Sequence, residues 1–491
     1  MSSVGRGIAK GAAWMVLLKL VERSIGLVST LILARLLVPA DFGLIAMAMS
    51  FAAVVELLWT FGFDSALIQN HSPDRRLYDT AWTLNICLGL TVACGLAAVA
   101  YPAAAFYGDP RLVPLLLCLA VGSMFQGFEN VGVVAFRKEL RFGMEFGYQL
   151  ARKLSGFVVT VPLAFILQSY WALVAGIVAG RIASVAISFA AHPFRPRFSL
   201  HARESLFGFS KWLFLSSALY AVQSRTQDFV IGKISGPGAL GIYNISHELS
   251  TLPTSEVVAP INRAVFPGFA KLAADPQALI QSYLRVLGIT ALITLPAGLC
   301  MASAAPWIVP ILLGPKWLDA IPIIQILAIY GSMASLGSVF GPTFMALGRP
   351  RMLTVFTLLN VSLFVPLVAW GAIEHGVLGA AWASLAVVLV MVPTSHAVAA
   401  RVLKLPLLQV LAQVWRPALA AVALFFVVDA LVQVLGTNGN ALVLLPRLLL
   451  AGAAGVSAYI AVLLGLWALS GRPDSAESLV LTELRTRLKR R

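Results

Sequence analysis

The chain has 491 residues, of which 59% are hydrophobic and only 12% charged. Soluble globular proteins carry about 25% charged residues, so this deficit excludes an ordinary soluble enzyme or binding domain and points to lipid as the solvent. The formal net charge of +15 would suggest a nucleic-acid partner in a soluble protein, but basic loops gathered at one membrane face explain it better and no nucleic-acid partner is expected.

Apolar stretches long enough to cross a ~30 Å hydrocarbon core as helices recur from end to end. The first is too long for a cleaved signal peptide, holds Lys19, Glu22 and Arg23, and lacks a small-residue cleavage site. Windows read against charges and turn residues predict fourteen spans, an all-α polytopic membrane protein. They lie near 12–34, 43–66, 80–104, 112–134, 148–168, 171–191 and 211–232, then 241–265, 283–305, 321–345, 353–373, 377–399, 416–435 and 446–469. Short separators carry turn chemistry, among them Val38-Pro39-Ala40-Asp41, Gly108-Asp109-Pro110, Gly236-Pro237-Gly238 and Gly348-Arg349-Pro350.

Alternate connections differ in charge. One set is nearly bare of bases, with Arg35, Arg111, Lys233, Lys316 and Arg447 spread among them. The other holds Arg75 and Arg76, Arg137, Lys138 and Arg141, Arg195, Arg197 and Arg203, Lys271, Arg349 and Arg351, and Arg401 and Lys404. The tail ends in Arg485, Arg487, Lys489, Arg490 and Arg491. By the positive-inside rule both termini are expected in the cytoplasm. Cys87, Cys94, Cys118 and Cys300 sit in apolar runs without metal-type spacing and read as small core residues. No metal and no cofactor are expected.

An internal repeat organises the spans. At an offset of 198 residues, Trp14, Leu33, Arg35, Pro39, Gly43 and Leu44 line up without a gap with Trp212, Ile231, Lys233, Pro237, Gly241 and Ile242. Gly108…Pro114 matches Gly314…Pro322 at a slightly larger offset. Six spans separate the copies, so both halves run the same way, as parallel repeats enclosing a site do. This predicts an N-lobe over 1–200, a C-lobe over 201–400, and a C-terminal helix pair with a basic tail over 401–491. The linker from Arg401 to Pro417 is expected along the membrane surface. The tail from Asp474 reads as a short capped helix that is either a surface anchor or simply solvated.

Five short runs carry a family resemblance. Three lie in the first half: Gly11-Ala-Ala-Trp14, Leu33-Ala-Arg-Leu-Leu-Val-Pro-Ala-Asp-Phe-Gly-Leu44 and Phe61-Gly-Phe-Asp-Ser-Ala-Leu-Ile-Gln69. The other two are Gln227-Asp-Phe-Val-Ile-Gly-Lys233 and Gly241-Ile-Tyr243. Together they resemble the Wzx-type oligosaccharide flippases, especially the branch with the colanic acid exporters, in the multidrug/oligosaccharidyl-lipid/polysaccharide exporter superfamily. The resemblance covers about the first 400 residues well and the rest by helix count alone. It implies a two-lobed, non-enzymatic transporter of the bacterial inner membrane. Its cargo would be undecaprenyl-pyrophosphate-linked oligosaccharide, turned from the cytoplasmic to the periplasmic leaflet by alternating access for lipopolysaccharide, capsule or exopolysaccharide assembly. Expected partners are that lipid-linked oligosaccharide and membrane lipid, with polysaccharide polymerase machinery a further candidate.

Ionisable groups at a helix centre cost on the order of 3 kcal/mol or more each, so they face a cavity or a partner. Lys19 and Arg23 lie four apart on one helix face with Glu22 beside them. Arg23 is roughly 15 Å into its span, Arg225 is at a similar depth in the seventh, and Arg181 is ~15 Å into the sixth. Arg23, Arg225, Lys19 and Arg181 are therefore the candidate pyrophosphate ligands, since a multiply charged anion needs charge-assisted hydrogen bonds. The alternative is internal pairing, Lys19 with Glu22 and Arg225 with Asp228. Glu22 and Asp228 read as orienting residues, and the resemblance makes Asp228 the characteristic acid of its segment. Among the deep acids Glu56, Glu129, Glu248 and Glu256, the ion-coupling candidates are Glu56 and Glu256, each alternatively a counter-ion. His247 reads as a structural histidine or a group titrating near neutral pH. Trp59, Asn85, Tyr220, Gln223 and Gln227 are candidate sugar-facing residues. Competing functions are a multidrug exporter of the same superfamily and, less favoured, a polysaccharide polymerase or ligase, for which no long periplasmic loop or nucleophile motif is present.

Overall fold

The computed structural model describes residues 3–61, 63, 67, 75–139, 141–201, 203–473 and 476–478, with side chains from Trp14 onward except at 60–61, 203–224, 257, 263 and 264. Every regular element among them is helical. In chain order these are α1 (Ser3–Leu36), α2 (Pro39–Glu56), α3 (Arg75–Tyr107), α4 (Leu112–Gln126), α5 (Val134–Lys138), α6 (Phe142–Leu167) and α7 (Trp171–Ala191). There follow α8 (Arg203–Leu272), α9 (Pro276–Leu312), α10 (Ala320–Gly337), α11 (Phe340–Ala346), α12 (Arg351–Leu403), α13 (Leu407–Leu435) and α14 (Ala441–Leu469).

Among the described residues nine helices are long and apolar enough to cross a membrane, or ten if α4 and the Val131–Lys138 segment, bent by 67°, count as one span. The chain is thus a multi-pass membrane protein. Two elements each cover two expected spans. Within α8 the break falls at Gly236 (φ +79°, ψ −179°), and within α12 at His375 and Gly376, the latter with φ +59°. L side chains rarely adopt such backbones, so glycine marks both reversals. The linker expected along the membrane surface is, from Leu407 on, the opening turns of α13, which runs to Leu435. Pro406 precedes its first turn, where the missing N–H costs nothing, and no glycine interrupts the helix beyond it. The tail beyond Ser478 and the side chains of Trp212, Tyr220 and Gln223 lie outside the described residues.

The chain divides into two compact units, Met1–Gly241 and Ile242–Arg491. In the first, α6 packs on α7 and α1, α3 packs on α4, and α4 packs on α7. The α6–α7 crossing is close because Gly156 faces Gly176 and Gly180 and Thr160 sits against Gly176, the small-residue packing typical of membrane helices. Residues 192–200 leave α7 as an extended strap. Asp79 and Thr83 of α3 accept the Arg197 and Ser199 amides at 2.9 Å each, and the Asn130 side-chain amide donates to the Phe194 carbonyl at 2.8 Å. Burial keeps the His192 imidazole below its usual range. In the Gly108–Arg111 turn the Arg111 guanidinium bonds Asp109 at 2.6 Å and holds that carboxyl below the usual carboxylate range.

In the second unit α9 is the central helix, packed on α10, α13 and α14. After α14 the chain reverses through Gly471 and Arg472, both at positive φ, and buries Ala476 and Glu477. Ala476 fills the space over Gly288 of α9, and Glu477 pairs with Arg416 of α13 at 3.2 Å, both side chains at most 4% exposed. Removing one partner of such a pair strands a buried charge, at a cost of about 3–5 kcal/mol. Arg416→Ala is therefore expected to lower the melting temperature of the detergent-purified protein, and Arg416→Met with Glu477→Leu to recover most of the loss. An unchanged melting temperature in Arg416→Ala would refute a stabilising role for the pair.

Candidate functional site

The first unit carries an open cavity of about 540 Å³ between the faces of α1, α6 and α7. Each helix supplies the polar stripe that its periodicity allows. From α1 come Glu22, Ile25 and Ser29, spaced three and four apart; from α6 come Gln149, Arg152, Lys153, Gly156 and Thr160. Helix α7 adds Gly176, Gly180, Arg181 and Ser184, and Gln126 and Glu129 close one end from the bend after α4.

The charges in this cavity are almost all matched. The Arg181 guanidinium donates to Glu56 Oε1 at 2.6 Å and also to Ser123 Oγ, whose hydroxyl in turn donates to Glu56 at 3.2 Å. Glu56 is the last residue of α2, where the helix tightens into a 3₁₀ turn over Leu57–Phe61. The Arg181 stem lies across Gly122, where a Cβ would come 3.1 Å from its Cδ. Glu129 lies 3.7 Å from Arg152, beside the buried Tyr148, and Glu22 accepts from Lys19 at 2.8 Å. Lys153 has no carboxylate at ion-pair distance among the described residues. Three acid–base pairs and one spare lysine leave an excess of one positive charge facing the cavity.

Of the residues expected from sequence, Arg181 and Glu22 line this cavity, Glu56 lies directly behind Arg181, and Lys19 reaches it through Glu22. Arg23 is one position round α1 from the lining face, half-buried and engaged in contacts of its own. Arg225 is bonded to Asp228 at 3.2 Å on α8, with Asp228 buried. Glu256 is exposed on α8, and Glu248 is half-buried on the same helix. His247 stacks with Tyr243 and lies near Tyr330. Trp59, Asn85 and Gln227 are half-buried in the first unit and are not among the cavity-lining residues.

Arg152 and Lys153 line the cavity and are missed by sequence reasoning. A fifth span beginning at 148 puts both at a helix end, where bases are unremarkable. Helix α6 begins at Phe142, so Arg152 lies ten residues, roughly 15 Å, along it. The one available signal is the continuous helical pattern from Phe142 through Gln149, obscured because Glu145 and Gln149 look like a boundary.

Residues 32–322 match the model of the family described as polysaccharide biosynthesis protein. The chain is 26% identical over 377 residues to the lipopolysaccharide biosynthesis protein WzxC of Escherichia coli (strain K12), covering 75% of this chain and 76% of that protein. It is 25% identical over 435 residues to the succinoglycan biosynthesis transport protein ExoT of Rhizobium meliloti (strain 1021), covering 88% of each. Among solved structures it resembles lipid II flippase MurJ in an inward closed conformation, with a TM-score of 0.74 at 12% identity, covering 92% of this chain and 98% of that one. That last likeness establishes a shared fold.

Because the Glu56 carboxylate is held by Arg181, truncating the arginine leaves a desolvated acid. Arg181→Ala is expected to lower the melting temperature, and adding Glu56→Gln to restore part of it. Equal melting temperatures for wild type and Arg181→Ala would show that the pair contributes nothing to stability.

Proposed function

The chain belongs to the polysaccharide biosynthesis protein family, and from that premise we propose that it turns polyprenyl-pyrophosphate-linked oligosaccharide from the cytoplasmic to the periplasmic leaflet of the bacterial inner membrane. The likeness to proteins named for lipopolysaccharide and succinoglycan biosynthesis supports a surface-polysaccharide pathway. The single observation that carries the reading is the spare Lys153 in a cavity whose other charges are paired. An anion entering it meets one uncompensated cation. It also meets two arginines, Arg152 and Arg181, whose carboxylate partners it could replace with bidentate phosphate contacts.

The head group would sit against α6 and α7 while the polyprenyl tail stays in lipid, and alternating access would then expose it outward. Arg23 and Arg225 are further ligand candidates at the depth their helices give them. We read Glu56 as the counter-ion of Arg181, Glu22 as that of Lys19 and Asp228 as that of Arg225, and keep Glu56 and Glu256 as the ion-coupling candidates. With both termini cytoplasmic, two negative charges move outward down an inside-negative potential, yielding about 5 kcal/mol per 100 mV if the full potential is crossed. A multidrug exporter selecting cations would want surplus acid in its cavity. Here every lining carboxylate is met by a base, with one base over, which disfavours that alternative.

The first test is a deletion strain scored for surface polymer and for the sidedness of lipid-linked intermediates. Loss of polymer with cytoplasm-facing intermediates, rescued by wild type and by Lys153→Arg but reduced at least about tenfold with Lys153→Glu at equal membrane abundance, is the expected result. Full rescue by Lys153→Glu would put the anion elsewhere, with Arg23→Ala and Arg225→Ala next in line. Normal polymer and intermediates in the deletion strain, without a redundant exporter, would sink the flippase reading itself.

A further inference from the structure

The connection between α7 and α8 alternates in character residue by residue: Phe194-Arg195-Pro196-Arg197-Phe198-Ser199-Leu200. In extended chain successive side chains point to opposite sides, so Phe194, Phe198 and Leu200 fall on one side and Arg195 and Arg197 on the other. The backbone between these two sides is seated along α3. The Arg75 guanidinium donates to the Arg195 carbonyl at 3.3 Å, and the Arg197 and Ser199 amides donate to Asp79 and Thr83. The registers match, because two extended residues and four helical residues both advance about 6–7 Å. The strap therefore runs beside α3 from its first residue, Arg75, toward the apolar part of that helix. Non-helical backbone is tolerated near lipid where, as here, its amides are met by side chains of a neighbouring helix.

The basic side is held in place without being neutralised. Arg195 donates to the His192 and Phe194 carbonyls at 2.9 and 3.0 Å and lies 5.6 Å over the Phe189 ring. Arg75 lies 5.8 Å over the Phe194 ring and 3.8 Å from the Asp79 carboxylate, which the Arg197 amide already engages. Glu139, the other acid acting near His192, is taken by Arg141 at 3.0 Å. Arg76, Arg195 and Arg197 have no carboxylate at ion-pair distance among the described residues. Carbonyls and ring faces orient a guanidinium but leave its charge in place. On the apolar side Phe194 packs against Tyr78. Phe198, 5.1 Å from the Trp82 ring, is nevertheless 73% exposed, and Leu200 is 50% exposed. Exposed hydrocarbon beside uncompensated guanidiniums suits the boundary between headgroups and acyl chains, where each side meets its own solvent. A phosphate answers the guanidiniums with charge-assisted bonds. A zwitterionic headgroup would bring its own cation up to them, so the headgroup that fits carries net negative charge.

We propose that the 192–200 strap and the start of α3 form a binding site for an anionic phospholipid, its phosphate on Arg75, Arg195 and Arg197 and its acyl chains over Phe198 and Leu200. The site shares no lining residue with the α1–α6–α7 cavity, and the inference does not depend on the flippase reading. The whole chain, purified in detergent, is titrated with dioleoyl phosphatidylglycerol or dioleoyl phosphatidylcholine, and bound lipid is counted by native mass spectrometry. Wild type is expected to hold phosphatidylglycerol at least about tenfold more tightly than phosphatidylcholine. Arg195→Gln with Arg197→Gln is expected to erase most of that preference. Arg401→Gln with Lys404→Gln, at another basic connection, is expected to preserve it. Equal loss in both pairs would reduce the effect to general basicity, and an unchanged preference in a folded Arg195→Gln, Arg197→Gln protein would remove the strap from the site. Because that variant can misfold, a second arm leaves the chain unaltered. Phosphatidylglycerol with a photoreactive diazirine on its acyl chain is expected to label the peptide holding Phe198 and Leu200, and labelling confined to other segments would overturn the proposal. So would displacement of phosphatidylglycerol by farnesyl diphosphate at about a tenth of its concentration, which would assign the site to a polyprenyl diphosphate instead.

Discussion

The Glu56–Arg181 pair ties three helices at one point: the end of α2, the middle of α7 and, through Ser123, α4. Neither ion could stay charged in hydrocarbon without the other, so the pairing dictates how these helices lie side by side. Glu56 also marks where α2 gives way to a 3₁₀ turn, and the pair holds that change of helical form in place. With α7 positioned in this way, its Gly176–Gly180–Ser184 stripe meets the Gly156–Thr160 stripe of α6, and a cavity remains beside the crossing.

Glycine has two separate uses in this molecule. At Gly236 and Gly376 it supplies backbone angles that reverse the chain between consecutive spans. At Gly43, Gly241, Gly156 and Gly176 the angles are ordinary, and what matters is the missing side chain, which lets one backbone touch another. Lipid supplies no hydrophobic drive between apolar helices, so close packing of this kind and pairing of charges carry the association. The second unit relies on the same two devices, with Ala476 seated over Gly288 and Glu477 buried against Arg416.

On the proposed reading, the cavity's charge balance would bear on transport as well as on stability. A site with several free cations would hold a diphosphate tightly and release it slowly. Arginines already satisfied by carboxylates bind an incoming anion by exchange, so the gain on binding is the difference between two pairings. Such moderated affinity is what a carrier needs, because its cargo must leave on the other side.

Composition by itself determined the solvent, and apolar periodicity with turn residues placed most of the spans, because both are local properties that survive any tertiary arrangement. The duplicated Trp, Pro and Gly positions were equally legible, as was the presence of costly charges such as Arg181 and Glu56. Which charges meet was not legible: Arg181 and Glu56 are 125 residues apart in the chain, and only packing brings them together. Tertiary structure also decided that Arg152 and Lys153 face a cavity rather than a helix end, since α6 starts earlier than its hydropathy suggests. The same holds for the close approach of Gly43 to Pro237 and of Gly241 to Pro39. A sequence displays the two copies, but a contact between them exists only once the chain has folded one onto the other.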